Sequence, residues 1–280
     1  MADAIPARTE CAPMSRVWDA LWQPAPRSES AETVTPAAPQ FPVQTVVVRP
    51  EVRIVTYTDP RGPMADRLRL LRLRLNKVAD PEKLKKILVT SPHPGDGKST
   101  IALNLAVTLA EEGKRSVLLV EGDLHRATIS RELGLVGQPG LAECLESGVQ
   151  PCSLVRRLEP LGCHFLPAGN TRNNPSELLQ KAPLSEIMNT LSPHFDWVIV
   201  DSPPVAPLTD ALSWRERTDA TLLVIRAGHT PVDATEEALN LLGRKHVFAI
   251  VLNRVEGVDR MYRNYYKVYN VQNGSETRPE

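Results

Sequence analysis

The segment Ile87–Thr100 constrains this chain more than any other part of its sequence. It reads as an apolar strand, a loop of prolines and glycines, and the first turn of a helix. The loop matches the pattern G-x-x-x-x-G-K-[ST], except that Pro92 stands at the first glycine. Gly95 and Gly97 would let backbone N–H groups curl around phosphate oxygens, and a helix starting near Lys98 would point its positive end at them. This context predicts a phosphate-binding loop; the alternative is a turn that only caps the following helix.

Side chains of this loop are suited to a magnesium-bound nucleoside triphosphate. Lys98 would neutralise charge between the β- and γ-phosphates, and Ser99 would offer its hydroxyl group to Mg²⁺. Asn253, which follows the last predicted strand, is expected near the adenine base. We therefore expect ATP and Mg²⁺ as cofactors. The predicted nucleotide-binding residues are Gly95, Asp96, Gly97, Lys98, Ser99, Thr100 and Asn253.

Carboxylates follow two further apolar runs. Glu121 and Asp123 come after Val117–Val120, and Asp201 comes after Trp197–Val200. Ligands of open α/β sheets bind beyond the carboxyl ends of the strands, so these acids should project toward the crevice that holds the phosphate loop. A single acid at a strand end could instead cap the next helix. Three strand-end sites together favour a magnesium–nucleotide site. The predicted metal ligands are Ser99, Asp123 and Asp201.

Short apolar runs alternate with helical segments from residue 86 onward. The predicted strands are Ile87–Thr90, Val117–Val120, His164–Leu166, Trp197–Val200, Thr221–Ile225 and Phe248–Leu252. The predicted helices are Lys98–Glu112, Glu177–Leu191, Asp210–Arg217 and Asp233–Leu242, preceded by an arginine-rich helix with Leu68, Leu71 and Leu75 at helical spacing. Unbroken apolar strands separated by helices imply a mostly parallel sheet with helices on both faces. The predicted fold class is α/β.

The first 58 residues differ in composition from the rest. Ten of the 25 prolines occur up to Pro63, among alanine, serine and threonine. Such a segment buries too little apolar surface to offset its ordering entropy, so residues 1–58 are predicted to be largely disordered. Two exceptions are an amphipathic patch at Met14–Trp22 and a possible strand around Val46–Val55. The predicted domains are this region, a nucleotide-binding domain at 59–256 and a tail at 257–280.

The bulk composition argues against several functional classes. Thirty-three basic and 33 acidic side chains balance, so net charge does not point to nucleic acid or another polyanionic partner. The cysteines form neither a CxxC pair nor a zinc-ligand cluster, which is typical of reduced cytosolic thiols; they are Cys11, Cys144, Cys152 and Cys163. The sequence shows no secretory leader and no run of about 18 apolar residues. We therefore expect a cytoplasmic protein that reaches a membrane through a partner.

Four of the chain's five tyrosines lie close together near its end. They are Tyr262, Tyr265, Tyr266 and Tyr269. This spacing places all four rings on one helical face, as in an ordinary packing stripe. The neighbouring basic residues would also suit base stacking in nucleic acid. A third interpretation is a cluster of phosphorylation sites, since phosphate would bring negative charge beside these basic side chains.

Most of the chain, roughly Asp59 to Tyr269, resembles the MinD/ParA-like P-loop ATPases, and within them the bacterial tyrosine kinases of capsule and exopolysaccharide systems. The resemblance rests on the deviant phosphate loop, the acidic motif after the next strand and the Asp-Ser-Pro-Pro run that begins at Asp201. Asp66-x-x-Arg69-x-x-Arg72 is similar to the kinases' Glu-x-x-Arg-x-x-Arg oligomerisation motif. Asn173-Asn-Pro-Ser-Glu-Leu-Leu179 is similar to their Pro-Asn-Pro-x-Glu-Leu-Leu stretch.

Three further positions depart from the related patterns. The signature lysine of the partition ATPases is replaced by His93. The kinases' second acidic motif usually reads Asp-x-Asp-Leu-Arg, whereas this chain has Glu121 in the first position and His125 where arginine is common. The resemblance therefore assigns the base or metal role to Asp123, which keeps its place.

The resemblance implies a P-loop NTPase fold and an ATP-dependent tyrosine autokinase of exopolysaccharide or capsule production. Its catalytic residues would be Lys98, Asp123 and Asp201, and its phosphoacceptors Tyr262, Tyr265, Tyr266 and Tyr269 of a neighbouring subunit. It further implies a homo-oligomer, possibly a ring, contacted through Asp66, Arg69 and Arg72. A separate membrane-embedded activator of the polysaccharide copolymerase type would hold the protein at the inner face of the membrane.

Two other functions stay open at the level of sequence. One is an ATP-driven positioning switch of the partition type, which would hydrolyse ATP without a tyrosine substrate. The other is a nucleotide-binding scaffold without kinase activity that recruits partners through Trp18 and Trp22. The arginine-rich helix could likewise be only a solvated amphipathic face.

Overall fold

Eight strands form one sheet at the centre of the protein, in the order β1-β4-β5-β3-β6-β2-β7-β8. The strands are β1 Val43–Thr45, β2 Lys86–Thr90, β3 Val117–Glu121, β4 Arg156–Glu159, β5 His164–Leu166, β6 Trp197–Asp201, β7 Ala220–Arg226 and β8 Val247–Asn253. All neighbouring strands are parallel except β4 and β5, which pair antiparallel. The computed structural model describes residues 40–49, 51–78, 84–171, 173–181, 183–206 and 209–256. The mostly parallel sheet confirms the predicted fold class.

Ten α-helices surround this sheet in the described part of the chain. They are α1 Val55–Thr58, α2 Pro63–Val78, α3 Lys98–Ala110, α4 Thr128–Glu132, α5 Leu141–Ser147, α6 Pro151–Leu154, α7 Pro175–Lys181, α8 Leu184–Leu191, α9 Asp210–Arg215 and α10 Val232–Leu242. Short 3-10 helices follow α3 and α8, at Glu111–Gly113 and Ser192–His194.

The core lies on both faces of the sheet. One apolar cluster joins α2, α3 and α4 to the strands, and α3 is buried along nearly its whole length. A second cluster on the other face contains side chains of α5 to α10, with Trp214 of α9 fully buried in it. Because both faces are covered, the central strands β3 and β6 are buried at every residue, as their unbroken apolar sequences predict.

Two predicted elements are wrong. The strand expected around Val46–Val55 lies earlier, because β1 ends at Thr45 and Val55 already begins α1. The single helix expected at Glu177–Leu191 is two helices, α7 and α8. Pro183 stands between them, and a proline has no N–H group to continue the hydrogen-bonding ladder of a helix.

The fold places the functional site at one edge of the sheet. Strands β3, β6 and β2 are adjacent and parallel, with Glu121 beside Asp201 and Asp201 beside Val89 in register. Their carboxyl ends therefore meet at the start of α3, as expected for a ligand site in an open α/β sheet. Within the described residues, no helix is long and apolar enough to cross a membrane.

Candidate nucleotide-binding and phosphoryl-transfer site

The loop between β2 and α3 has the backbone of a phosphate-binding loop. Gly95 and Gly97 have φ angles of 85° and 102°, in the left-handed region that favours glycine. Asp96 between them is fully buried. Its Oδ2 accepts a hydrogen bond from the backbone N–H of His93 (3.0 Å), and its Oδ1 accepts one from the hydroxyl of Thr230 (2.8 Å). The side chain of Asp96 therefore shapes the loop from inside.

Asn253, predicted to lie near adenine, contacts the phosphate loop itself. Its Nδ2 donates a hydrogen bond to the carbonyl oxygen of Asp96 (2.8 Å). A Cβ atom added to Gly97 would lie 2.1 Å from that same Nδ2. The amide thus ties the end of β8 to the loop and leaves no room for a side chain at Gly97. An adenine contact of Asn253 stays a prediction.

The predicted catalytic acids lie close to the amine of Lys98. Its Nζ lies 3.1 Å from Oδ2 of Asp123, 4.0 Å from Oδ1 of Asp201 and 3.3 Å from the hydroxyl of Ser99. Burial disfavours the charged amine, but the negative charges of Asp201 and Asp123 outweigh it and raise the pKa of Lys98. The structure therefore brings together all the predicted catalytic and metal-binding residues.

Asp201 lies completely buried at the end of β6, and its two oxygens have no hydrogen-bond partner among the described residues. Burial raises its pKa to about 7, although the charge of Lys98 opposes this. A buried carboxylate without donors is costly unless a cation or ordered water satisfies it. Mg²⁺ prefers oxygen ligands, so the orphaned oxygens of Asp201 and the nearby hydroxyl of Ser99 fit this ion.

Glu121 does not project into the crevice, contrary to the expectation from its place at a strand end. Its Oε1 accepts hydrogen bonds from the backbone N–H groups of Ile129 (2.6 Å) and Ser130 (3.1 Å). Its Oε2 accepts from the hydroxyl of Ser130 and from the N–H of Ala168 (3.2 Å). Burial raises the pKa of Glu121, while these hydrogen bonds oppose the increase. This carboxyl group anchors α4 and the loop after β5.

Sequence reasoning missed a hydrogen-bonded pair, His125 and Asp210, at the rim of the same site. Nε2 of His125 lies 2.9 Å from Oδ2 of Asp210 and 3.3 Å from the hydroxyl of Ser176. Asp210 begins α9 and Ser176 belongs to α7, so three elements that are distant in sequence meet here. The available signal was the histidine at a position where the resembling kinases commonly carry arginine.

A cavity of about 520 Å³ opens beside the phosphate loop. The phosphate loop contributes Gly95, Gly97, Lys98, Ser99 and Thr100 to its wall. The loop after β3 contributes Asp123, His125 and Arg126. Backbone N–H groups, the lysine and the buried carboxylate of Asp123 in a cavity of this size suit the polyphosphate of a nucleotide and the transfer of its terminal phosphoryl group.

The predicted oligomerisation residues are engaged within the chain. Arg69 donates hydrogen bonds from Nε and Nη2 to the carboxylate of Glu111, with 2.6 Å between Nη2 and Oε1, and it also lies 3.4 Å from Oδ1 of Asp66. Arg72 binds the other oxygen of Glu111 (3.0 Å) and the carbonyl oxygen of Thr108 (2.9 Å). A role of Asp66, Arg69 and Arg72 in subunit contacts stays a prediction.

Two groups of predicted functional residues lie outside the described residues. They are the aromatic patch with Trp18 and Trp22, and the tail tyrosines Tyr262, Tyr265, Tyr266 and Tyr269.

The chain is similar to P-loop NTPases and to bacterial tyrosine-protein kinases. A family profile described as "NUBPL iron-transfer P-loop NTPase", of the ParA type, matches residues 83–241. The tyrosine-protein kinase CpsD of Streptococcus pneumoniae is 30% identical over 182 residues, which is 62% of this chain and 78% of CpsD. The succinoglycan biosynthesis transport protein ExoP of Rhizobium meliloti is 27% identical over 236 residues, which is 78% of this chain.

Among solved structures, the tyrosine kinase domain of BceF has a similar fold. It is 32% identical and superimposes with a TM-score of 0.64, covering 71% of this chain and 81% of that domain. The chain spans about 30% of the length of ExoP and a similar share of some other relatives that it matches.

Proposed function

Because this chain belongs to the bacterial tyrosine-protein kinases, within the ParA-type P-loop NTPases, we propose that it is an ATP-dependent protein-tyrosine kinase that phosphorylates its own C-terminal tyrosines in trans. The observation that carries this proposal is the convergence of Lys98, Asp123 and Asp201 at the phosphate loop. The likeness to ExoP, named for succinoglycan biosynthesis and transport, favours a role in exopolysaccharide or capsule production.

ATP would bind with its phosphates against the loop amides and Lys98. Ser99 and Asp201 would hold Mg²⁺, with Asp123 as a further candidate ligand, and the ion would supply positive charge to the phosphates. Lys98 pairs with Asp123. The phosphates would compete for the lysine, which frees the carboxylate of Asp123 to orient the acceptor or to take its proton.

The reaction would transfer the terminal phosphoryl group of ATP to a tyrosine oxygen. A bond forms between the phenolic oxygen and the γ-phosphorus, and the bond from that phosphorus to the bridging oxygen breaks. ADP leaves with the electron pair, and the phenolic proton passes to Asp123 or to solvent. Such a transfer requires mainly positioning and charge neutralisation. A phenol has a pKa of roughly 10, so a nearby carboxylate assists its attack.

The acceptor would be the tail of a neighbouring copy in a homo-oligomer. Contacts through Asp66, Arg69 and Arg72 would have to share or exchange the partner Glu111, which already binds both arginines. Several phosphotyrosines, each with a charge of about −1.5 to −2, would repel one another and loosen the assembly. A separate membrane-embedded activator would hold the cytoplasmic kinase at the inner face of the membrane.

The test is incubation of the purified full chain with ATP and Mg²⁺, together with a cognate activator, followed by mass-spectrometric mapping of phosphotyrosine. We expect phosphate on Tyr262, Tyr265, Tyr266 and Tyr269. Lys98→Met should abolish it, and replacing the four tail tyrosines with phenylalanine should remove the acceptors. Tyr57→Phe is the matched control, because Tyr57 is the fifth tyrosine and belongs to α1, within the folded domain.

Mixing two chains, neither of which can be phosphorylated alone, tests transfer in trans. The Lys98→Met chain keeps its acceptor tyrosines, and the four-phenylalanine chain keeps its catalytic site. Phosphate on the Lys98→Met chain in the mixture can therefore come only from transfer between molecules. Nucleotide turnover without phosphotyrosine would instead support a partition-type ATPase, and nucleotide binding without turnover would support a scaffold.

Light scattering of Arg69→Ala, with Arg74→Ala on the same helix as control, tests the predicted contact between subunits.

A further inference from the structure

Trp214 packs against the loop that carries Asp123, and it has no part in the mechanism described so far. Its side chain is completely buried, and its Nε1 donates a hydrogen bond to the carbonyl oxygen of Gly122 (3.1 Å). This carbonyl group belongs to the peptide unit that joins Gly122 to Asp123. The indole therefore binds the backbone immediately before a predicted catalytic acid.

The contact between the indole and Gly122 is so close that it excludes a side chain at residue 122. A Cβ atom added to Gly122 would lie 2.6 Å from Cε2 and 2.7 Å from Nε1 of Trp214. Glycine is required by this close approach, but glycine is also the residue with the least restricted backbone. The direction in which Asp123 leaves the strand would thus be loosely defined unless the peptide groups of Gly122 were held by other parts of the protein.

Both polar groups of Gly122 are held, one by β6 and one by α9. Its N–H donates a hydrogen bond to the carbonyl oxygen of Asp201 (2.7 Å), and its carbonyl oxygen accepts the bond from Trp214. The first bond continues the pairing of β3 with β6. The second fixes the plane of the next peptide unit, which leads into Asp123.

Helix α9 contacts the same loop a second time. Asp210, about one turn before Trp214, has its Oδ2 at 2.9 Å from Nε2 of His125. Between these two contacts lies Asp123, whose Oδ2 is 3.1 Å from Nζ of Lys98. A backbone held on both sides of Asp123 restricts where its short side chain points. Such control matters because a misplacement of about 1 Å at a reacting group can cost about a hundredfold in rate.

We infer that Trp214 is a positioning residue for phosphoryl transfer: its hydrogen bond to the carbonyl group of Gly122 sets the backbone from which Asp123 faces Lys98 and the acceptor hydroxyl. This inference rests on the proposed kinase function. Trp214 is completely buried outside the wall of the cavity, so it acts only through the loop. Its loss should slow the transfer step and leave nucleotide binding almost unchanged.

Two substitutions disturb this contact from its two partners. Trp214→Phe removes the Nε1 donor and keeps an aromatic ring in the core, whereas Gly122→Ala forces the indole away from the carbonyl group. Because the two changes are unrelated, a variant that fails to fold leaves the other as the test. Trp197→Phe is the matched control, since Trp197 is also buried but begins β6, at the end of that strand opposite to Asp201.

The experiment uses the full chain with phenylalanine at all four tail positions as the enzyme and the full Lys98→Met chain as the acceptor, with the cognate activator present. Single-turnover kinetics at saturating ATP and Mg²⁺ give the rate of transfer, and calorimetry in EDTA gives the Kd for ADP. For Trp214→Phe and Gly122→Ala we expect about a tenfold lower rate and an ADP Kd within about twofold of the parent. Trp197→Phe should keep both values within about twofold.

A double-mutant cycle with Asp123 separates positioning from a general loss of stability. If Trp214 acts through Asp123, Trp214→Phe should change the rate of the Asp123→Asn enzyme by less than about twofold. A merely structural role would lower the rates of the parent and of the Asp123→Asn enzyme by the same factor.

Four results would overturn the inference while leaving the kinase intact. They are a rate within about twofold of the parent in both variants, an ADP affinity that falls as much as the rate, an equal loss of rate in Trp197→Phe, and a further loss of about tenfold on the Asp123→Asn background. If the Asp123→Asn enzyme shows no transfer at all, the first three results decide. A parent enzyme that never phosphorylates the acceptor would overturn the proposed function as well, which distinguishes the two failures.

Discussion

Replacing Asp201 with asparagine should remove a pH dependence from the stability of the nucleotide-free protein. Burial raises the pKa of this carboxyl group from 3.8 to about 7 in the folded state. Between these values the folded protein keeps a proton that the unfolded chain has released. By linkage, stability contributed by this group therefore falls as the pH rises from about 4 to about 7, and it changes no further above that. Asparagine does not titrate in this range.

The magnitude follows from the width of that window. Each pH unit inside it changes the free energy of unfolding by about 1.4 kcal/mol. From pH 5 to pH 7 the ionising carboxylate should thus cost the wild-type protein roughly 2 to 3 kcal/mol relative to Asp201→Asn. The charge of Lys98, 4.0 Å away, already opposes the shift and is included in the value of about 7.

The measurement is urea denaturation of both proteins at pH 5, 6, 7 and 8 in the presence of EDTA. The difference in unfolding free energy should grow in favour of the variant up to about pH 7 and then level off. Asp196→Asn is the control for loss of a carboxylate, because Asp196 is an exposed carboxylate that pairs with Arg115 at the surface. A difference that stays constant within about 1 kcal/mol from pH 5 to pH 8 would refute the reasoning.

Three further outcomes follow from the structure. Glu121→Ala should lower the free energy of unfolding in urea by about 3 kcal/mol or more, because buried donors such as the N–H of Ile129 lose their acceptor; a cost below about 1 kcal/mol would contradict the anchoring role. Gly97→Ala should weaken ADP binding by at least about tenfold in calorimetry, because the added Cβ would collide with the side chain of Asn253 and because the positive φ of residue 97 is strained for alanine. An unchanged affinity would contradict this. Trp214→Phe should cost about 1 to 3 kcal/mol in the same urea assay, because Nε1 donates to the buried carbonyl oxygen of Gly122 (3.1 Å); a neutral effect would show that this bond contributes nothing.

The features that were predictable from sequence depend on neighbours along the chain. The phosphate loop requires glycines, a lysine and a hydroxyl residue within one short segment, between a strand and a helix. The buried strands β3 and β6 appear as unbroken apolar runs, and the end of each strand marks where Asp123 and Asp201 lie. Parallel strands then bring these ends to one edge of the sheet. The core of the site was therefore predictable.

Side-chain direction was not predictable for Glu121. It occupies a strand end like Asp201, with which it is in register, yet its carboxyl group turns to the N–H groups of α4 and not into the cavity. The deciding donors lie eight and more residues further along the chain and reach Glu121 only after α4 has packed. The break between α7 and α8, by contrast, carried a local signal in Pro183.

Sequence by itself determined that this chain has an α/β fold with a phosphate-binding loop, and which lysine and acids converge at that loop, because those properties follow from short patterns and from the geometry of parallel strands. Only the tertiary structure decided which polar groups hold one another: Asn253 against the phosphate loop, Glu111 between the arginines of α2, and Asp210 behind His125. These partners are separated by 39 to 157 positions. Hydrogen bonds over such separations depend on how whole elements pack, and no local pattern encodes them.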